Sequence, residues 1–124
     1  MTKEFTYKLL SGEIVKNNYG TYYFVKPGNW VDSNGYPIIE KLHRKDGPAV
    51  ELASGHKAWC RNGKYHREDG PAIEYADGSK HWCRNGKFHR EDGPAYEDAN
   101  GSKIWYLNHI PLTEEEFNQQ VKSK

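Results

Sequence analysis

His66-Arg67-Glu68-Asp69-Gly70-Pro71-Ala72 is the stretch on which the reading of this chain turns, because it occurs three times. His43-Arg44-Lys45-Asp46-Gly47-Pro48-Ala49 precedes it and His89-Arg90-Glu91-Asp92-Gly93-Pro94-Ala95 follows. The copies start at positions 43, 66 and 89, so the step is constant. Trp59, Trp82 and Trp105 keep that step, and so do Asn62, Asn85 and Asn108. A fixed period in the twenties marks stacked repeats, each of which buries its apolar face against the next.

Within a unit, turn residues set the strands. Ala76-Asp77-Gly78-Ser79 and Ala99-Asn100-Gly101-Ser102 carry Asp-Gly and Asn-Gly, which favour two-residue hairpin turns with positive φ. That turn predicts Tyr75 opposite Lys80, Glu74 opposite His81, Ile73 opposite Trp82 and Ala72 opposite Cys83. One face then carries the three tryptophans beside Val50, Ile73 and Tyr96 as the core, with packing outweighing ligand binding. The other carries the Ala/Cys pairs with Glu51, Glu74 and Glu97. Asn62-Gly63 and Asn85-Gly86 give each unit a second turn. The His-Arg-Glu-Asp-Gly-Pro phrase links hairpins, because proline has no N–H for strand pairing. Its Asp is expected to bond turn N–H groups, clamped by the adjacent Arg and His.

Outward from the repeats, the reading is of one domain over 1–124. An aromatic N-terminal cap and degenerate repeat fills 1–42, the repeats fill 43–110, and a C-terminal helix fills 111–124. Phe5, Tyr7 and Leu9 alternate with polar residues, Ser11-Gly12 supplies a turn, and Ile14-Val15 begins the return strand. Tyr19 to Val25 reads as a strand with two apolar faces, ended by Pro27-Gly28. Trp30-Val31-Asp32-Ser33-Asn34-Gly35 resembles the later Trp-Cys-Arg-Asn-Gly with one residue inserted. At the other end Thr113 and Glu116 form a capping box, with Leu112 and Phe117 as its hydrophobic staple. A short helix from about Glu114 should lay Phe117 and Val121 on the last hairpin.

Composition narrows the function. Hydrophobic residues are 35% and aromatics 14% of 124 residues, which suits a thin sheet whose few large rings bury most of the apolar area. Formal charge is +1, from 18 basic and 17 acidic residues, without the basic excess of a general nucleic-acid binder. With no secretory or membrane-spanning run, the expectation is a protein of the cytoplasm, not bound to a membrane. Cys60 and Cys83 occupy equivalent positions, about 9.5 Å apart if each unit is a two-stranded hairpin. That exceeds disulfide reach, so both should be reduced. A single-strand coil would instead bring them to about 4.8 Å.

No Cys-x-x-Cys accompanies Cys60…His66 or Cys83…His89, and that spacing is too wide for one zinc ion. No metal or other cofactor is therefore expected. The acid, base and hydroxyl residues come as repeat copies, whereas an active site needs one unrepeated constellation, so no enzyme is expected. Two binding readings remain. The rows Arg44/Arg67/Arg90 and His66/His89, with His43, Arg61 and Arg84, suit an anion such as a small nucleotide. The unrepeated Tyr22, Phe24, Trp30 and Tyr36 would then stack on its base. The leading reading is a protein partner gripped by Tyr, Trp and Arg. An exposed sheet edge also invites self-association into a homo-oligomer.

Asn-Gly-Lys-x-His, the Tyr75-Ala76-Asp77-Gly78-Ser79 turn and a following Trp strand together resemble MORN-type repeats. That family has the same step length and one hairpin per unit; the likeness covers positions 41–110. Two departures stand out. His66 and His89 are followed by Arg-Glu-Asp-Gly-Pro where the family has an early glycine, and the second strand lacks the family's glycine before its Trp. The His-Arg-Glu-Asp-Gly-Pro-Ala variant, ending in Leu112-Thr-Glu-Glu-Glu-Phe117, resembles short repeat proteins of bacteriophages and large DNA viruses. The resemblance implies an all-β protein: a single curved antiparallel sheet of stacked hairpins with a short C-terminal capping helix. It also implies a non-catalytic role on a host or viral protein, a host defence component being the natural target of a phage protein. The membrane association claimed for some MORN proteins gains little from a charge of +1.

Overall fold

The computed structural model describes residues 5–8, 13–24 and 30–122. The protein is all-β, mostly antiparallel strands, with one helix at the C-terminal end. It packs as two compact units, Met1–Lys64 and Tyr65–Lys124.

The first unit begins with the expected hairpin. β1 (Phe5–Lys8) pairs antiparallel with β2 (Glu13–Lys16), Phe5 opposite Lys16; Leu9, Ser11 and Gly12 lie outside the described residues. β2 pairs with β3 (Gly20–Phe24), β3 with β4 (Val50–Leu52), and β4 with β5 (Lys57–Ala58). Val25, Pro27 and Gly28 also lie outside the described residues. Tyr22 and Phe24, on one face of β3, are fully buried with Leu42 and Ala49. A 3-10 turn at Ile39–Lys41 delivers Leu42 to this core.

Between β3 and β4 the degenerate repeat closes a loop at residues 32–36. The Asp32 N–H is donated to the Tyr36 carbonyl and the Gly35 N–H to that of Asp32, while Asp32 Oδ1 accepts from the Asn34 and Tyr36 N–H groups. Asp98 makes the same four bonds with Asn100, Gly101 and Ser102. Gly35 (φ 90) and Gly101 (φ 89) are left-handed, whereas Asn34 and Asn100 are not. This corrects the alignment of residues 30–35 with Trp-Cys-Arg-Asn-Gly. In those turns the Asn itself is left-handed, at φ 49 for Asn62 and 50 for Asn85. The loop then docks on β3 and the turn before it, where the Gly35 carbonyl accepts from the Tyr22 hydroxyl and from Asn17 Nδ2.

After β6 (Cys60–Arg61) and the Asn62-Gly63 turn, β7 (Lys64–Tyr65) carries the chain into the second unit. Here β8 (Ile73–Glu74), β9 (Lys80–His81), β12 (Tyr96–Glu97), β13 (Lys103–Leu107) and β14 (Ile110–Leu112) form consecutive antiparallel pairs. β10 (Cys83–Arg84) and β11 (Lys87–Phe88) make a separate ribbon closed by Asn85-Gly86.

The register differs from expectation by one residue. Ile73 faces His81 and Glu74 faces Lys80. Likewise Val50 faces Ala58, and Tyr96 faces Ile104. The cause is the loop. Ala76 joins Asp77 and Gly78 (φ 96) in the loop, so the Tyr75 N–H bonds the Ser79 carbonyl while the Gly78 N–H bonds that of Tyr75. This is a three-residue loop with a left-handed glycine, and not a two-residue turn. Because side chains alternate, a slip of one residue reassigns every facing pair.

The core is corrected accordingly. Ala49, Ala72, Ala95 and Cys60 are 0% exposed and Cys83 is 4%, whereas Trp59, Trp82 and Trp105 are half-buried. Trp82 sits at the bend between β9 and the ribbon, its N–H donated to the Ala95 carbonyl and its own carbonyl accepting from His89. The face expected to carry the tryptophans instead carries the row Ile73, His81, Tyr96, Ile104, paired strand by strand. The other face carries Glu74, Lys80, Glu97 and Lys103, alternating in charge. Cys60 and Cys83 are buried thiols not joined in a disulfide, and burial pushes the Cys83 pKa up to about 11.

The C-terminal helix starts at Glu114 as expected, whereas Pro111 and Leu112, read as part of the helical segment, belong to strand β14. Thr113 Oγ1 accepts from the Glu116 N–H, and Glu116 Oε1 from the Thr113 N–H, a reciprocal capping box for α1 (Glu114–Lys122). Phe117 is buried and Leu112 and Val121 are half-buried. Among the described residues no helix is long and apolar enough to cross a membrane.

Candidate functional site

The repeated phrase builds an arginine-centred knot. Arg90 Nε donates to Asp92 Oδ1 (2.8 Å), and its Nη1 donates to the Pro94 carbonyl (3.0 Å) and to Glu97 Oε2 (3.4 Å). Arg67 repeats this with Asp69 (3.0 Å), Pro71 (3.1 Å) and Glu74 (3.0 Å). Arg44 bridges Asp46 at 3.6 Å and donates to the Pro48 carbonyl. The guanidinium of Arg90 lies 3.9 Å over the Trp82 ring, and that of Arg44 lies 3.9 Å over Tyr23. The glycine of Asp-Gly-Pro makes room: a Cβ on Gly93 would sit 2.9 Å from the Arg90 Cζ, and one on Gly47 2.7 Å from that of Arg44.

The histidines act elsewhere than on the Asp. His43, His66 and His89 accept at Nδ1 the backbone N–H of Asn62, Asn85 and Asn108 respectively, each at 3.0 Å. All three asparagines are left-handed, so each imidazole pins a turn corner. An accepting Nδ1 fixes the neutral ring with its proton on Nε2. Burial, then the charges of Arg61 and Lys45, hold the His43 pKa below the usual imidazole value.

In the second unit two successive phrases, 67–71 and 89–92, wall a cleft of about 490 Å³ with Trp82 and Arg84. Arg84 bridges Glu91 (3.3 Å), and His89 Nε2 is 3.5 Å from the same carboxylate. Three arginines therefore meet four carboxylates: Glu68, Asp69, Glu91 and Asp92. The Asp69 and Asp92 side chains are 89% and 87% exposed, the Arg67 and Arg90 side chains only 22%. The rim thus presents carboxylates more than guanidinium groups.

Of the residues singled out from sequence, the cleft gathers Arg67, Arg90 and His89. His66 pins the Asn85 corner. Arg44, Tyr22, Phe24, Trp30 and Tyr36 belong to the first unit. Tyr22 (0%) and Phe24 (2%) are interior, and burial pushes the Tyr22 phenol above its usual pKa. Trp30 is half-buried with Lys41 Nζ 4.9 Å from its ring, and Tyr36 is exposed and stacked on Tyr19 at 5.1 Å. Sequence reasoning put Trp82 in the core and missed it as a cleft wall. The signal was its constant offset from the arginine of the next phrase.

Compared with known proteins, the chain matches no family model, no curated protein and no solved structure.

Proposed function

We propose that the protein is a non-enzymatic, MORN-type repeat module that binds a partner protein through the cleft of its second unit. One observation carries this reading. The cleft arginines are bridged to carboxylates and four acidic side chains share the lining, so the surface is charge-balanced and polar around a tryptophan. An anionic nucleotide would face those carboxylates, whereas protein interfaces accommodate mixed charge around Trp and Arg anchors. The His-Arg-Glu-Asp-Gly-Pro-Ala phrase supports a phage or large-virus origin. The partner is then a host protein, neutralised or recruited in the host cytoplasm, with a defence component as the expected class.

The test is capture of a host protein on the immobilised chain, repeated with Trp82→Ala and with Arg84→Glu. Specific capture by the parent chain and its loss in both variants is the expected result. Melting temperature in a nucleotide panel supplies the opposing outcome. A rise of several degrees with one nucleotide would replace this reading with a nucleotide sponge, since a ligand bound only to the native state raises Tm.

A further inference from the structure

The corner Asn108-His109 joins β13 to β14, the two strands against which α1 packs. Both of its residues are left-handed without being glycine, at φ 49 and 70. That conformation is disfavoured for residues with a Cβ and persists where the surroundings hold it. Two imidazoles do the holding. His89 Nδ1 accepts the Asn108 N–H at 3.0 Å, and His109 Nδ1 accepts the Phe88 N–H at 3.2 Å. The His109 N–H is in turn donated to the Phe88 carbonyl at 2.8 Å.

We propose that His89 and His109 form a proton-operated latch on this corner, closed when both rings are neutral and released when they are protonated. Only a neutral imidazole has an acceptor nitrogen. Protonation turns each Nδ1 into a donor that faces another donor, so the bond is replaced by repulsion. His89 matters most because the residue is only 8% exposed, so water cannot take over the bond that Nδ1 gives up, while Glu91 can compensate charge only at the opposite nitrogen. The charged groups around it are Glu91, at 3.5 Å from Nε2, Arg84 bridging that carboxylate, and Arg67 and Arg90 in the same cleft. His109 is exposed and stacks on Phe88 and on the titratable Tyr106, at 5.6 and 6.3 Å. Release loosens the end of the sheet that seats α1 and would uncover Leu107 and Phe117.

Amide hydrogen exchange of the whole chain followed by NMR at pH 7.5 and 5.0 tests the latch. Rates are corrected for intrinsic pH dependence and referred to Ala95, whose N–H bonds the Ile104 carbonyl. Protection at Asn108 and Phe88 should fall by about tenfold or more relative to Ala95 at pH 5.0, the change expected when about 1.4 kcal/mol of local stability is lost. In His89→Asn the side-chain carbonyl takes the place of Nδ1 and does not titrate, so Asn108 should keep its protection at pH 5.0. Unchanged relative protection in the parent chain would overturn the latch, as would an acid response in His89→Asn equal to the parent's. If His89→Asn fails to fold, the parent measurement alone decides.

Discussion

In the first unit the interior is filled by large groups: Tyr22, Phe24 and Leu42 are each 2% exposed or less. In the second, the fully buried positions of the repeat are Ala72 and Ala95, with Cys83, Leu107 and Phe117 also in the core, while Trp82, Trp105 and the His81, Phe88 and Tyr96 rings stay half-buried. His81 stacks on Tyr96 at 4.8 Å and meets Phe88 edge-on at 5.4 Å. The contrast teaches where each unit keeps its order. The N-terminal one rests on hydrophobic volume. The repeats rest on close backbone packing over small side chains, together with the arginine knots. A structure that must repeat at a fixed short interval needs contacts that each copy can make with the next, and a deep core is hard to share in that way.

The largest effect that sharpens this contrast is Phe24→Ala, expected to cost about 3–5 kcal/mol in denaturant unfolding. Trp82→Ala should cost clearly less because its ring is already partly in water; equal losses would erase the distinction. Next comes Ala95→Val, which adds two methyl groups at a position 0% exposed and should cost about 1–3 kcal/mol. A neutral result there would show that the alanine column is not tightly packed.

Arg90→Lys follows, at about 1 kcal/mol. A lysine cannot reach Asp92, the Pro94 carbonyl and Glu97 together while lying flat on Trp82, and the exposure of Asp92 keeps the loss small. Gly93→Ala should mimic it, since the added Cβ displaces the same guanidinium. Urea midpoints of the two variants should therefore agree.

The smallest effect is a pH dependence at His81, whose pKa is held down by burial. A depressed folded value means that the unfolded chain binds the proton first. Stability is thus full above about pH 6.5 and declines as pH falls through that value toward the lower folded one. His81→Phe keeps a ring in the stack and should flatten that part of the Tm–pH curve. If the curve is unchanged in the variant, other groups carry the acid response.

Local signals were legible in the sequence and distant ones were not. The hairpins, the Asn-Gly turns and the Thr113–Glu116 box each depend on residues a few positions apart. The register depended on one dihedral. Asp77-Gly78 suits both a two-residue and a three-residue loop, and both place Gly78 at positive φ; Asp77, which is not left-handed, selects the second. That choice moved Trp82 from the expected core to the cleft wall. The salt bridges of Arg67 and Arg90 with the neighbouring Asp could be read from adjacency. Their stacking partner could not, and neither could the bonds from His43, His66 and His89 to Asn62, Asn85 and Asn108. Every element of the repeat keeps the same step, and spacing alone does not say which pairs touch.

One feature of the turns bears on how the protein ages. Asn-Gly is the dipeptide most prone to deamidation, in which the glycine nitrogen attacks the asparagine side-chain carbonyl to close a succinimide and expel ammonia. Here the Gly63 N–H is held by the Leu42 carbonyl and the Gly86 N–H by the Tyr65 carbonyl, both at 2.8 Å. Tying up those nitrogens shields the two ribbons from a reaction that would otherwise place a new negative charge, and often an extra backbone methylene, in the tightest corners of the fold.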